Sequence, residues 1–374
     1  MKISIDATGL GEVKTGTAVY LTEILRVWNQ CPEICHVFYI FASPKTSDYL
    51  RALGLDHRFR FVDAPDSRLM RVLWQQLALP WHLWRLGIAV HWGCGFVLPL
   101  LSRKRMAVTI YDMTFQLFPS VHERFKRYYF PLMIAAAVAK ARRVIAISET
   151  TRNDLYHLLP NSMGKTEVTP LAPRAFPSSV TGTGSAPVFE ILKASSGYVI
   201  CLGTLEPRKN LMRLLEAWGD IDEVDRSGIK LVVVGVRGWM MDQVISNLSE
   251  EDASVVFTGF LEDDDLNLLF SGALALAYPS LYEGFGLPVL EAMSHGVPVL
   301  TGNTGATLEI AGDAALFVDA TDVSAIKSAL LSLLTDVSLR QRLSQLGRAH
   351  AAHFTWENTA ASTLTVLEQA KSLK

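Results

Sequence analysis

The chain has 374 residues, 49% of them hydrophobic. That length exceeds what one core ordinarily holds, and the apolar fraction supports well-buried sheets in each of two domains. The formal net charge is only −2 and the basic residues carry no RNA-binding motif, so nucleic acid is not an expected partner.

In chain order, Ile3-Ser4-Ile5-Asp6-Ala7 reads as a strand. The loop 9–17, closing on Gly16 and Thr17, precedes a helix containing Val19, Leu21 and Leu25. The dinucleotide fingerprint G-x-G-x-x-G fails here because Lys14 holds the third glycine position, which disfavours hydride transfer. Val37 to Ala42, Ala107 to Tyr111 and Val144 to Ser148 follow as further strands. Three residues among them each admit two readings. Asp112 either polarises a sugar hydroxyl or caps the turn after its strand; Tyr111 either donates a hydrogen bond or packs as an aromatic. His91, beside Trp92 on a strand-like edge, either lines an acceptor side or is a satisfied buried histidine.

Charge is lopsided: residues 1–175 hold 22 Lys and Arg against 13 Asp and Glu, a net +9, and the remainder nets −11. The cations of the first half gather with aromatics, first around Arg68, Arg71, Trp74, Trp81, Trp84 and Arg85, then around Arg124, Lys126, Arg127, Tyr128 and Tyr129. Such a surface either rests on anionic lipid headgroups as a peripheral contact or consists of core rings with solvating cations. The longest uncharged stretch of this region, Leu86 to Ser102, is broken by His91, Gly93, Gly95 and Pro99. It falls short of the ~20 apolar residues of a membrane span.

From Ala172 to Pro187 the chain crowds Pro, Ser and Gly, and reads as a mobile linker. The expected division is a domain over 1–172, a linker over 173–187 and a second domain over 188–355. In the second domain apolar runs at 230–235, 255–259, 274–280, 297–301 and 315–318 alternate with helical patterns, which implies a parallel sheet. The strand Tyr198 to Leu202 leads into Gly203-Thr204-Leu205-Glu206-Pro207-Arg208-Lys209-Asn210. Two adjacent cations before a helix with Asn210 as N-cap suit a diphosphate; the plainer reading is a solvated basic turn.

Glu283 and Glu291 bracket Gly284-Phe285-Gly286-Leu287-Pro288-Val289-Leu290. Pro288 suits the first helical position, so Glu291 is expected in the first turn, and Gly-Phe-Gly lets a ligand approach the main chain. The plainer reading makes Glu283 a solvated loop residue and Glu291 a partner of the helix dipole. Asp263-Asp264-Asp265 and Asp220-Ile221-Asp222 contain D-x-D, better explained as acidic helix starts than as metal ligands. The four cysteines have no recognised metal spacing, and no signal-peptide pattern opens the chain. A cytoplasmic setting is expected, at most peripheral at the inner face of the membrane.

The segment S-L-Y-E-G-F-G-L-P-V-L-E-A-M resembles the signature of the retaining glycosyltransferases of family 4. Residues 203–210 are similar to that family's G-x-x-x-x-R-K-N diphosphate loop, and 9–17 to the glycine-rich loop that faces the donor. Val108 to Met113, Val144 to Glu149, Glu309 to Ala315 and Phe354 to Glu357 resemble four further family segments, with Leu308 in place of a usual Pro. Many relatives have His where this chain has Tyr111, so that histidine's role does not transfer. The likeness spans about residues 3 to 361.

The resemblance implies an α/β GT-B fold: two facing Rossmann-like domains with parallel sheets and an interdomain cleft, and a final helix, 356–374, packing back on the first domain. It implies retaining transfer of a hexose from a nucleotide-diphosphate sugar to a saccharide or lipid-linked saccharide in bacterial polysaccharide assembly. Mannose from GDP-mannose is the favoured donor. By the same resemblance Glu291 accepts from the ribose, and Glu283 lies at the transferred sugar's hydroxyls and anomeric carbon. The amides of Phe285, Gly286 and Leu287 position that sugar, Phe260 and Leu261 meet the base, and Gly16, Thr17 and Gly203 border the donor. Arg208 and Lys209 meet charge on the leaving diphosphate, Asp112 is a catalytic candidate, and no metal or other cofactor is expected. Two alternatives stay open: a sugar-nucleotide epimerase of the same fold, and a noncatalytic nucleotide-sugar binder.

Overall fold

The computed structural model describes residues 1–10, 16–174, 176, 188, 191, 196–236 and 253–372. They form two compact units, Met1–Leu171 with Thr355–Lys374, and Ala172–Phe354.

The first unit is built on seven parallel strands: β1 (Lys2–Asp6), β2 (Val37–Ala42), β3 (Phe59–Asp63), β4 (Val90–Gly93), β5 (Arg105–Ile110), β6 (Arg143–Ala146) and β7 (Thr166–Val168), in the order β3-β2-β1-β4-β5-β6-β7. Runs such as Val-Phe-Tyr-Ile-Phe-Ala can be apolar throughout because helices cover a parallel sheet on both faces. The strand order reverses between β1 and β4, and that break is where an open α/β sheet leaves a crevice at its carboxyl edge. Stacked rings fill part of the core: Trp28 on Phe38 at 4.8 Å and Phe38 on Phe59 at 5.0 Å between centroids. The Trp28 indole N–H donates to Ala360 O at 3.1 Å, which fastens the C-terminal helix Trp356–Ser372 to this unit.

The second unit has six parallel strands: β8 (Tyr198–Leu202), β9 (Lys230–Val234), β10 (Val255–Gly259), β11 (Ala275–Tyr278), β12 (Val299–Gly302) and β13 (Leu316–Val318), in the order β10-β9-β8-β11-β12-β13. Its order reverses between β8 and β11. Leu214, Trp218, Leu231, Val233, Leu330 and Leu333 are among the side chains packed into its core.

Three local expectations need correction. The helix after the Gly-Phe-Gly turn is Leu287–His295, so Pro288 is its second residue and Glu291 its fifth, beyond the first turn. Gly286, at φ 98°, supplies the left-handed bend that starts this helix one residue earlier than proline alone would. Asn210 stands before the helix Leu211–Gly219 but makes no side-chain cap. Its amide donates instead to Pro279 O at 3.1 Å and Ala320 O at 2.6 Å, which ties the β8 loop to the ends of β11 and β13. The linker 173–187 lies outside the described residues except for Pro173, Arg174 and Phe176, as do positions 11–15 of the glycine-rich loop.

Candidate active site

The break between β8 and β11 holds a cluster of charges. The β8 loop turns through Pro207–Lys209, and the β11 loop brings Glu283 beneath it. Lys209 Nζ donates to Glu283 Oε1 at 2.6 Å and Arg208 Nη1 to Glu283 Oε2 at 2.7 Å. The Tyr278 hydroxyl donates to Glu283 Oε1 at 2.9 Å and accepts from Lys209 Nζ at 2.5 Å. Arg208 also reaches Glu206 Oε1 at 2.8 Å. Gly203, at φ 141°, leaves room for this arrangement: a Cβ there would lie 3.3 Å from the Lys209 side chain.

Glu283 is buried, so solvation alone would favour its neutral form. Burial does push its carboxyl up, but the Lys209 ammonium and the Arg208 guanidinium outweigh it and bring the pKa down to about 2. At neutral pH this group is a fixed carboxylate and has no proton to give. Burial likewise lowers the Lys209 pKa, only partly countered by Glu283, and burial raises the Tyr278 phenol far above its ordinary value.

Glu291 sits in a different setting. It is 1% exposed, and its Oε1 accepts from Arg174 Nε at 3.1 Å. Arg174 Nη1 also meets Asp263 Oδ1 at 2.5 Å, at the start of the helix Asp263–Gly272. Burial raises the Glu291 pKa, and the Arg174 guanidinium offsets this only in part. Phe260 is exposed and Leu261 buried after β10, while Phe285 is buried against the ring of Phe354.

The first unit's break holds a cavity of about 280 Å³. Asp6, at the end of β1, accepts from Thr8 Oγ1 at 2.6 Å through Oδ1 and from Gln75 Nε2 at 2.8 Å through Oδ2. Arg71 Nη1 donates to Thr8 O at 2.9 Å, and Phe96, Tyr111 and Tyr129 line the space with them. The Tyr111 hydroxyl donates to Cys94 O, and its ring meets Phe96 and Tyr20 edge-on at 5.5 and 5.7 Å. Tyr111 is thus a packed aromatic whose hydroxyl proton goes to a main-chain carbonyl.

Thus Arg208, Lys209, Glu283 and Gly203 converge, whereas Glu291 is held by Arg174. Thr17 and Tyr111 line the cavity; Gly16, Asp112 and His91 are not among its lining residues. Asp112 closes its own turn, accepting from Thr114 N at 2.9 Å and Thr114 Oγ1 at 2.5 Å. His91 is wholly buried in β4, where Nδ1 meets Ser4 Oγ at 2.9 Å and burial pulls its pKa down to about 4. It is a neutral core histidine, which corrects the acceptor-side reading.

Sequence reasoning passed over Tyr278, Arg174, Asp6 and Gln75. Tyr278 carried one usable signal, a phenol at the carboxyl end of a central strand. Arg174 lay inside a proline-rich run, where no local pattern marks it.

Two doubly wound parallel sheets, one with paired cations and a buried carboxylate at its break, give the architecture of the GT-B fold. Over 74% of its length the chain is 33% identical to the O-antigen chain mannosyltransferase B of Escherichia coli, covering 73% of that protein. It is 23% identical over 349 residues to the O-antigen chain mannosyltransferase RfbU of Salmonella typhimurium, with 88% and 90% of the two chains covered. Residues 189–350 match the family described as Glycosyl transferases group 1, and the chain belongs to that family. The fold is shared with WaaG, a glycosyltransferase involved in lipopolysaccharide biosynthesis (TM-score 0.75, 14% identity, 98% and 99% covered). It is shared equally with Anabaena HepE in complex with UDP and glucose (TM-score 0.74, 16% identity, 99% and 100% covered).

Proposed function

We propose that this glycosyltransferase moves mannose from GDP-mannose, with retention of anomeric configuration, onto a saccharide or lipid-linked saccharide acceptor in bacterial polysaccharide assembly. The observation that carries the reading is the triad Arg208, Lys209 and Glu283 at the break of the second sheet. When the donor's glycosidic bond to phosphate breaks, negative charge grows on the diphosphate, and fixed cations aimed at such charge are a large source of catalysis. Arg208 and Lys209 supply two.

Glu283 is poised as a permanent anion beside the sugar, where it accepts from hydroxyls and favours positive charge on the ring. Both of its oxygens already accept charged or phenolic donors, which blunts it as a nucleophile. That supports front-face attack through an oxocarbenium-like state, with the leaving phosphate oxygen taking the acceptor's proton. Glu291 binds the ribose, and Arg174 orients its carboxyl. With two cations for the leaving group, the scheme needs no metal.

The test begins with melting curves against a panel of nucleotide sugars, in which GDP-mannose should raise Tm most because ligand binding to the native state stabilises it. Turnover of that donor should give an α-linked product by NMR and persist in excess chelator. An inverted product, or loss of activity that manganese restores, would overturn the mechanism.

A further inference from the structure

We propose that the outward face of helices Arg68–Arg85 and Arg124–Lys140 docks on an anionic lipid bilayer. On the first helix Leu69, Met70, Leu73, Leu77, Trp81 and Trp84 are all exposed, Leu69 by 72% and Trp84 by 71%. At 3.6 residues per turn they fall within an arc of about 120°. Trp74, by contrast, packs against Phe41 at 5.7 Å, so the core reading holds for that ring and not for Trp81 or Trp84. The second helix continues the face with Phe125, Tyr128 and Leu132, each more than half exposed. The two meet where Arg68 lies 4.6 Å over the Phe125 ring. Such a continuous apolar surface marks an interaction site.

Charge selects the occupant. The two helices carry seven Arg and Lys and no Asp or Glu. Glu123, just ahead of the second helix, is engaged by Lys126 at 3.2 Å and Arg68 at 3.6 Å. Cations around a stripe of Leu, Trp and Tyr match the boundary between acidic headgroups and acyl chains, and Arg85 over Trp81 at 5.0 Å is a pair suited to that depth. Among the described residues no helix is long and apolar enough to cross a membrane, so the contact is peripheral. The same helices line the first unit's cavity through Arg68, Arg71, Gln75, Phe125, Lys126 and Tyr129. Docking therefore brings the cavity within about a helix diameter of the headgroups, where a lipid-linked acceptor presents its sugar.

Flotation with phosphatidylcholine vesicles, with and without phosphatidylglycerol, tests this without any turnover, so its failure is separable from failure of the mannosyl-transfer reading. The wild-type chain should float with the acidic vesicles, stay mostly unbound with the neutral ones, and be released by salt. L77E/W84E and R124E/R127E should each weaken binding at least about tenfold. All four positions already face solvent and lie outside the cavity, so melting temperature should not move. Equal flotation of wild type and both variants would overturn the proposal. So would a wild-type chain that ignores vesicles but forms a dimer that L77E/W84E dissolves, which would assign the face to a second copy.

Discussion

Between β8 and β11 the second unit gathers ionised groups, a buried carboxylate with an ammonium and a guanidinium each within 2.7 Å of it. Between β1 and β4, the corresponding break of the other sheet, the first unit gathers a carboxylate bonded to an amide and a hydroxyl, with rings and the side chains of Arg68, Arg71 and Lys126 around an open cavity. The winding is the same and the chemistry is not. A carboxylate clamped by two cations suits a step in which charge moves, whereas a carboxylate held by hydroxyl and amide partners beside aromatic faces suits the binding of sugar hydroxyls. One topology thus offers two crevices, and on the proposed mechanism the residues at the strand ends divide chemistry from recognition between them.

The contrast is broken most directly at Lys209. Lys209→Ala leaves Glu283 buried with a partner missing and, on the proposed mechanism, removes one cation from the leaving diphosphate. By analogy with the loss of one oxyanion donor, the barrier should rise by about 2 to 4 kcal/mol. That is a fall in kcat of a hundredfold or more. Steady-state kinetics at saturating donor decide it, and a loss under tenfold would mean that the cations only shape the loop.

A second difference lies between Glu283 and Glu291, eight positions apart in the chain. Glu283 titrates in the folded protein near 2, below its unfolded value of 4.5. Its ion pairs therefore contribute fully above pH 4.5, and the contribution disappears as pH falls toward 2. On the order of 3 kcal/mol rides on that interval. The difference in Tm between wild type and E283Q should shrink across it. Glu291, shifted up by burial, has the opposite sign: its ionisation costs stability, so wild type should lose ground to E291Q as pH rises through the Glu291 pKa. Parallel slopes for the two variants would show that both carboxylates share one environment.

What could be read from sequence followed the range of the interactions involved. Arg208, Lys209 and Glu283 sit in glycine-bearing loops between a strand and a helix, and those loops are written in adjacent residues. The longer apolar strands β1, β2, β8, β9 and β10 declare themselves for the same reason. Strands β3 and β7 did not, since Phe-Arg-Phe-Val-Asp and Thr-Glu-Val are short and mixed, and only pairing to β2 and β6 makes strands of them. Arg174 reaches Glu291 across 117 positions and Gln75 reaches Asp6 across 69. Composition had placed Arg174 in an idle connector, whereas folding sets it between two carboxylates. Asn210 shows the reverse error, a residue in a capping position that spends its amide on distant carbonyls.

The smallest effect should come from Gln75, and it is the sharpest test of the division between chemistry and recognition. Gln75 donates from one amide nitrogen to both Asp6 Oδ2 at 2.8 Å and Thr8 Oγ1 at 2.9 Å, so it sets how that carboxylate faces the cavity. Gln75→Leu keeps the volume roughly constant and removes both bonds. If the first unit's crevice recognises the acceptor, its KM should rise about tenfold, equivalent to about 1.4 kcal/mol. Donor KM should hold, and so should kcat at saturating acceptor, because uniform binding is lost without touching the transition state. A fall in kcat with unchanged acceptor KM would place Asp6 in the chemical step. The split between a crevice that reacts and one that recognises would then have to be abandoned.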